Sequence, residues 1–309
     1  ASGLPPEVEQ QVRFYATALS ALKRWGGNVE LSLAPSTNIN RATTSDTLGT
    51  IIGDFTLSKD ARAQSGLGLS LQGQTYYRIP ASAKTDILLR ASALANLYGK
   101  SEFDYISTSF QAGPQGRWGK DRLALSAAAS WRWYGLDPYS FSWGATGNWQ
   151  HPLSGRTQLR LDGTVLFENN RRNDLEDGTT YTFAAGLDHA FSARSGGGFQ
   201  ISGVRDVAKD PGYSTASVGA NAYLHRELGR TTAVLNVGYR HLAADARLFL
   251  YPKKRVDDFV TASLSGTFRA LTVGTFAPLI RVKYERNFST VEIYDYESVS
   301  AEFGIVAAF

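Results

Sequence analysis

Arg122-Leu123-Ala124-Leu125-Ser126-Ala127-Ala128-Ala129-Ser130-Trp131-Arg132-Trp133 splits into two sets. The odd positions hold Leu123, Leu125, Ala127, Ala129, Trp131 and Trp133. The even positions hold Arg122, Ala124, Ser126, Ala128, Ser130 and Arg132. A period of two puts successive side chains on opposite faces of an extended strand. Alternation alone suits any half-buried sheet, a soluble sandwich included. Length separates the two. Strands here run to about ten to thirteen residues, against five or six in globular proteins, and a tilted strand needs about nine to eleven to cross a bilayer.

Working outward, the pattern recurs. Leu159, Leu161, Gly163, Val165 and Phe167 oppose Gln158, Arg160, Asp162 and Thr164. Ile280, Val282 and Tyr284 oppose Arg281, Lys283 and Glu285, and segments near 67–77, 86–97, 231–240 and 258–268 behave alike. Trp131, Trp133, Trp143, Trp149, Tyr181 and Tyr284 end apolar faces, as an interfacial girdle requires. About fourteen segments are countable, an even number as a single-chain bacterial barrel needs. Even-numbered segments end in tight turns (80–84, 119–121, 152–155, 194–198, 227–230). Odd-numbered ones usually end in longer polar loops, notably 35–63, 168–179 and 243–255. Short turns belong on the periplasmic side, which predicts a periplasmic N-terminus. The fold expected is therefore all-β: a transmembrane antiparallel barrel over 27–309, exposed to outer-membrane lipid.

The first 26 residues differ. Val8, Val12, Tyr15, Leu19 and Leu22 follow helical spacing behind Pro5-Pro6. A short periplasmic helix over 6–24, stopped by Gly26-Gly27, is expected, with 1–26 as helix and linker. No basic segment with an apolar core opens the chain, and Ala1 reads as a processed or trimmed start.

Composition excludes other classes. Mean hydropathy is −0.23, with no apolar run near the twenty residues that a helical span needs. Cys is 0, so there is neither a disulfide framework nor a thiolate metal site. The net charge of +4 is scattered along the chain, without an aromatic-studded basic patch, which argues against a nucleic-acid partner.

Chemistry-bearing motifs are few. His151, His189, His225 and His241 share no metal-ligand spacing. Asp257-Asp258 and Asp188-His189 match the two dipeptides of an omptin-like barrel protease, but the topology puts them at opposite ends of the barrel, where they cannot share a water. His189 is the histidine placed on the lipid side, and no Ser matches it for a barrel phospholipase. The chain reads as a non-enzyme without cofactor or metal. Its expected lumen face includes Arg90, Arg122, Arg132, Arg160, Asp162, Arg240, Arg281, Lys283, Glu285 and Glu302, together with Glu30 and Asp188. Such mixed charge fits either an ion-paired interior or a polar conduit. Ala301, Phe303, Ile305, Ala307 and Phe309 alternate to a terminal aromatic, resembling the signal read by the barrel-assembly machinery.

The ends of the barrel carry a family resemblance. Ala34-Pro35-Ser36-Thr37-Asn38-Ile39-Asn40-Arg41-Ala42 looks like the Asn-Val-Asn segment that ends the first strand of the surface lipoprotein assembly modulator (Slam) family. Tyr284-Glu285-Arg286-Asn287-Phe288-Ser289-Thr290-Val291, then Tyr294-Asp295-Tyr296, Gly304 and Phe309, is similar to that family's closing pattern, and 139–161 shares its look. The resemblance covers roughly 27–309. It implies a fourteen-strand barrel that exports a surface lipoprotein or soluble secreted protein across a Gram-negative outer membrane, a type XI secretion activity. A periplasmic chaperone would be among its partners. The family sets tetratricopeptide repeats before the barrel, and no 34-residue helical repeat stands here. The rival classes are a pore for small solutes and a polysaccharide-export barrel. Val29, Leu31 and Leu33 of the first strand, with Phe303, Gly304 and Phe309 of the last, form the expected seam. Gly304 either weakens the seam or makes room for a lumen side chain.

Overall fold

The computed structural model describes residues 24–309. Fourteen antiparallel strands close into one barrel. They are β1 Trp25–Ser36, β2 Gly66–Pro80, β3 Thr85–Tyr98, β4 Tyr105–Trp118, β5 Asp121–Tyr134, β6 Asp137–Pro152 and β7 Thr157–Asn170. The second half comprises β8 Gly178–Ser192, β9 Ser195–Ala208, β10 Thr215–Leu228, β11 Thr231–Ala244, β12 Val256–Phe268, β13 Phe276–Ser289 and β14 Tyr296–Ala308. Each strand pairs with its sequence neighbours, and β1 closes on β14. The barrel thus begins at Trp25, two residues before the expected 27. Gly26 and Gly27 belong to β1. A Cβ on either would collide with Phe309 and with Tyr76 or the Gln74 carbonyl, so these glycines let β1, β2 and the chain end pack closely. The helix expected over 6–24 lies outside the described residues.

Period-two alternation becomes an inside and an outside. Leu125, Leu264 and Val282 are 58%, 59% and 50% exposed and point outward, whereas Ser126, Ser263 and Arg281 beside them are buried. Large exposed apolar side chains all round a barrel, with a polar interior, invert the soluble pattern and match a lipid-facing band. Aromatic pairs stand toward one rim: Trp131 with Phe141 at 5.3 Å and Trp143 with Phe167 at 4.8 Å between ring centroids. Trp25 and Phe309, 5.7 Å apart, stand at the other.

The two rims differ. After β2, β4, β6, β8 and β10 the chain reverses in tight turns, and the longest connections follow β1 and β11. Two junctions depart from this rule. β12 is joined to β13 through 269–275, a longer connection on the short-turn rim. β5 turns into β6 through Gly135 and Leu136 alone, both at positive φ (62° and 66°), on the long-loop rim. The β1–β2 loop carries a small hairpin, Thr47–Thr50 paired with Gly53–Thr56.

Candidate functional site

The inward set gathers into three charged groups. On one wall, Arg160 lies 3.2 Å from Asp162, 3.3 Å from Asp188 and 3.0 Å from Gln200. Asn148 donates to Asp162 at 2.6 Å, and Tyr223 donates to Asp188 at 2.7 Å. These contacts tie β6 through β10 together from inside. On the opposite wall, Arg281 of β13 reaches across β14. It donates to Glu302 of β14 and, at 2.8 and 3.3 Å, to both oxygens of Glu30 on β1. The Arg281 and Glu30 side chains are only 8% and 6% exposed, so this ion pair crosses the closure of the barrel in a nearly water-free setting.

The third group lies toward the long-loop rim around a cavity of about 560 Å³, bounded by Arg41, Arg132, Arg240, Lys283, Glu285 and Tyr296. Lys283 stands 2.9 Å from Glu285. Arg132 pairs with Glu168 and donates to Ser140 at 2.8 Å. Arg240 sits over the Phe259 ring at 5.2 Å. Arg41 comes from the β1–β2 loop, not the wall. It has positive φ (47°) and lies 3.3 Å from Glu285, whose negative charge raises the guanidinium pKa further above its ordinary value.

Toward the short-turn rim, Arg90 stands 3.5 Å from Gln111, and Arg122 lies opposite Arg117 and Gln150 in the register.

The asparagines of the Asn-Ile-Asn segment place Arg41. Asn38 is buried and donates to the carbonyls of Ala42 (2.8 Å) and Glu297 (2.9 Å), and its Oδ1 accepts from the Ala42 N–H at 3.1 Å. Asn40 donates to the Arg62 carbonyl at 2.8 Å and accepts from the Gln64 N–H at 3.1 Å. One amide therefore folds the loop start inward onto the last hairpin, and the other fastens the loop's two ends together. The motif was visible in the sequence. Arg41, which it delivers to the lumen, was not, because a loop residue carries no period.

At the seam, Val29 pairs with Ala307, Leu31 with Ile305, Ser32 with Gly304 and Leu33 with Phe303. Pairing then skips Ala34 and Pro35 and resumes at Ser36 with Ser300. Gly27 and Thr37 donate their N–H groups to Phe309 and Val299 of β14 at 3.1 and 3.0 Å. Odd residues of β1 therefore face β14, and Pro35, which has no N–H, stands opposite Ala301 where a ladder donor belongs. At Gly304 a Cβ would overlap the Leu31 carbonyl and Ser32, so this glycine permits a close approach of β14 to β1.

The acid and histidine dipeptides are engaged separately. Asp257 accepts from Ser289 at 2.7 Å and pairs with Arg255 at the start of β12. His189, near the end of β8, lies 2.9 Å from Thr157. His189 is not alone on the lipid side. His151 and His241 share the outward register of Trp149 and Tyr239, and His241 lies 2.9 Å from Asp258. That pair needs the β11–β12 register, which the sequence does not carry. Among the described residues, no three of His, Asp and Glu group as metal ligands.

A closed fourteen-strand barrel with a lipid-facing apolar band and a charged interior defines an outer-membrane β-barrel of the Gram-negative type. The chain belongs to the surface lipoprotein assembly modifier family, whose model matches residues 25–305. No curated protein matches the chain. Among solved structures, it is similar to the outer membrane channel DcaP of Acinetobacter baumannii, with a TM-score of 0.53, 10% identity, and coverage of 92% of this chain and 96% of that one. It is also similar to the monoaromatic hydrocarbon channel TodX (a deltaS2 mutant), with a TM-score of 0.50, 11% identity and coverage of 95% and 91%. A FadL homologue of Pseudomonas aeruginosa gives a TM-score of 0.50 at 10% identity, covering 93% and 90%. At these identities the likeness is one of fold.

Proposed function

We propose that this chain is a translocator that passes a protein client, a surface lipoprotein or a soluble secreted protein, outward across the outer membrane and hydrolyses nothing itself. The observation that carries this reading is the family match, which spans the barrel from 25 to 305. The short-turn rim faces the periplasm in this reading, with the N-terminus on that side, and the long-loop rim faces out. Outer-membrane lipid surrounds the apolar band. The barrel-assembly machinery reads the β14 end at Phe309, and a periplasmic chaperone delivers the client. Arg90, Arg122, Arg132, Arg160, Asp162, Arg240, Arg281, Lys283, Glu285 and Glu302 line the interior as a mixed-charge wall. Val29, Leu31, Leu33, Phe303, Gly304 and Phe309 form the seam.

The test is deletion of the gene, followed by a comparison of protease-accessible surface proteins and secreted proteins with the parent strain. The expected result is loss of one surface or secreted protein, restored by the wild-type barrel. Unchanged surface and secreted proteins, with slowed uptake of small solutes or loss of exported polysaccharide, would replace this reading with a pore.

A further inference from the structure

We propose that the long-loop half of the β1–β14 seam is a strand-exchange site. There an extended polypeptide segment of the client pairs with Val299–Glu302 of β14, in place of β1 beyond Leu33. The proposal deepens the export reading and rests on it.

The ladder is incomplete at that place. Pro35 leaves the Ala301 carbonyl opposite it without a ladder N–H, and the register skips Ala34 and Pro35. A peptide with an ordinary residue at this position would supply the donor that β1 lacks. It would gain one more main-chain hydrogen bond than the native strand makes, which is the physics of strand addition.

What holds this half closed comes largely from the β1–β2 loop. Thr37 Oγ1 accepts from the Val299 N–H at 2.9 Å, Ser36 and Ser298 hydroxyls meet at 3.1 Å, and Asn38 donates to the Glu297 carbonyl at 2.9 Å. Farther along the loop, Glu292 accepts from the Gly49 N–H at 2.7 Å, and Arg41 reaches Glu285. Each bond is local and partly wet, and all of them leave together if the loop lifts. The other half of the seam is different. Its pairing is continuous from Asn28↔Ala308 to Leu33↔Phe303, and the buried Arg281–Glu30 pair spans it. That half is the hinge.

Proline also interrupts the β4–β5 ladder, where the register skips Gly113 and Pro114. Those strands are joined by the two-residue turn Gly119-Lys120 and cannot part to admit a third. β1 and β14 are the only neighbours in the barrel with no hairpin between them. An acceptor without its donor and a junction without a covalent tie coincide only here.

Two experiments on the full chain decide it. In the first, the protein is placed in phospholipid nanodiscs and amide hydrogen exchange is followed. The Val299 and Ala301 amides should exchange about three- to tenfold faster than those of Phe303, Ile305 and Ala307, the difference that one net hydrogen bond makes. Pro35→Thr should slow them and Asn38→Ala should speed them. Equal protection along β14, or indifference to both substitutions, overturns the proposal. The second uses the fact that the chain has no cysteine. Ser36→Cys with Ser300→Cys, a register pair beside the gap, should stop client display when oxidised and restore it on reduction. The same lock at Asn28→Cys with Ala308→Cys should leave display intact. Export through the barrel locked at 36 and 300, or its loss in the barrel locked at 28 and 308, also overturns the proposal. A deletion strain with every surface and secreted protein in place would instead refute the export reading, and the exchange pattern would still judge the edge itself.

Discussion

Arg281 holds two carboxylates on two other strands, Glu30 and Glu302, one strand from the closure. Removing it leaves both acids inside the barrel without their cation. Arg281→Met should therefore lower stability by about 3–5 kcal/mol in urea-induced unfolding from liposomes. Adding Glu30→Gln and Glu302→Gln should recover most of that loss, because the penalty is the uncompensated charge and not the missing contact. A single-variant loss below about 1 kcal/mol would place the group in bulk-like water. Residue identity made Arg281 legible as an inward side chain, since its neighbours Ile280 and Val282 alternate with it. Its partners were not legible. They belong to strands 251 and 21 residues away, and only the register brings them together. Pro35 teaches the same lesson more sharply. A proline near a strand end reads as unremarkable punctuation, and which neighbour it deprives depends on a one-residue choice of register that no local pattern sets.

The strands were legible because lipid on one side and polar side chains on the other force a strict period of two over a long run. Leu125→Arg should accordingly cost about 2–4 kcal/mol in refolding, whereas Ser126→Arg, one residue on and inward, should cost clearly less. Equal costs would mean that the faces are misassigned. The loops were legible only as lengths. Their ties are acid–base contacts between sequence-distant segments: Asp60 with Lys100 at 2.9 Å, Asp177 with Lys209 at 2.9 Å, and Asp245 with Arg205 at 2.6 Å. Each of these aspartates is held below its ordinary pKa, first by the hydrogen bond from its basic partner. A carboxyl lowered on folding contributes above its unfolded value, about 3.9, and loses that contribution as pH falls through the lowered one. Near pH 3 the 37–65, 171–177 and 245–255 loops should therefore become open to an acid protease such as pepsin, while the strands stay protected. Cleavage unchanged from pH 5 would show that other contacts hold the loops. The packing role of Gly26 and Gly27 was not legible at this scale, because the Phe309 and Tyr76 groups that crowd them come from distant parts of the chain.

For the whole molecule, closure, strand number and the division into two rims all followed from counting alternating segments and the spacers between them. The cavity at the long-loop end did not, because Arg41 enters it from outside the wall. The arrangement of the chain ends has a mechanical consequence. Trp25 and Phe309 touch at the short-turn rim, and the register runs from Asn28↔Ala308 away from it. A pull that separates the two ends therefore loads the closure one rung at a time, as a zipper is loaded at its tab, instead of shearing all rungs at once. An optical trap attached at the two ends should meet low resistance that rises at the Arg281–Glu30 rivet, then falls where the rung at Pro35 is missing. The β1–β2 loop would be the last stitch to give.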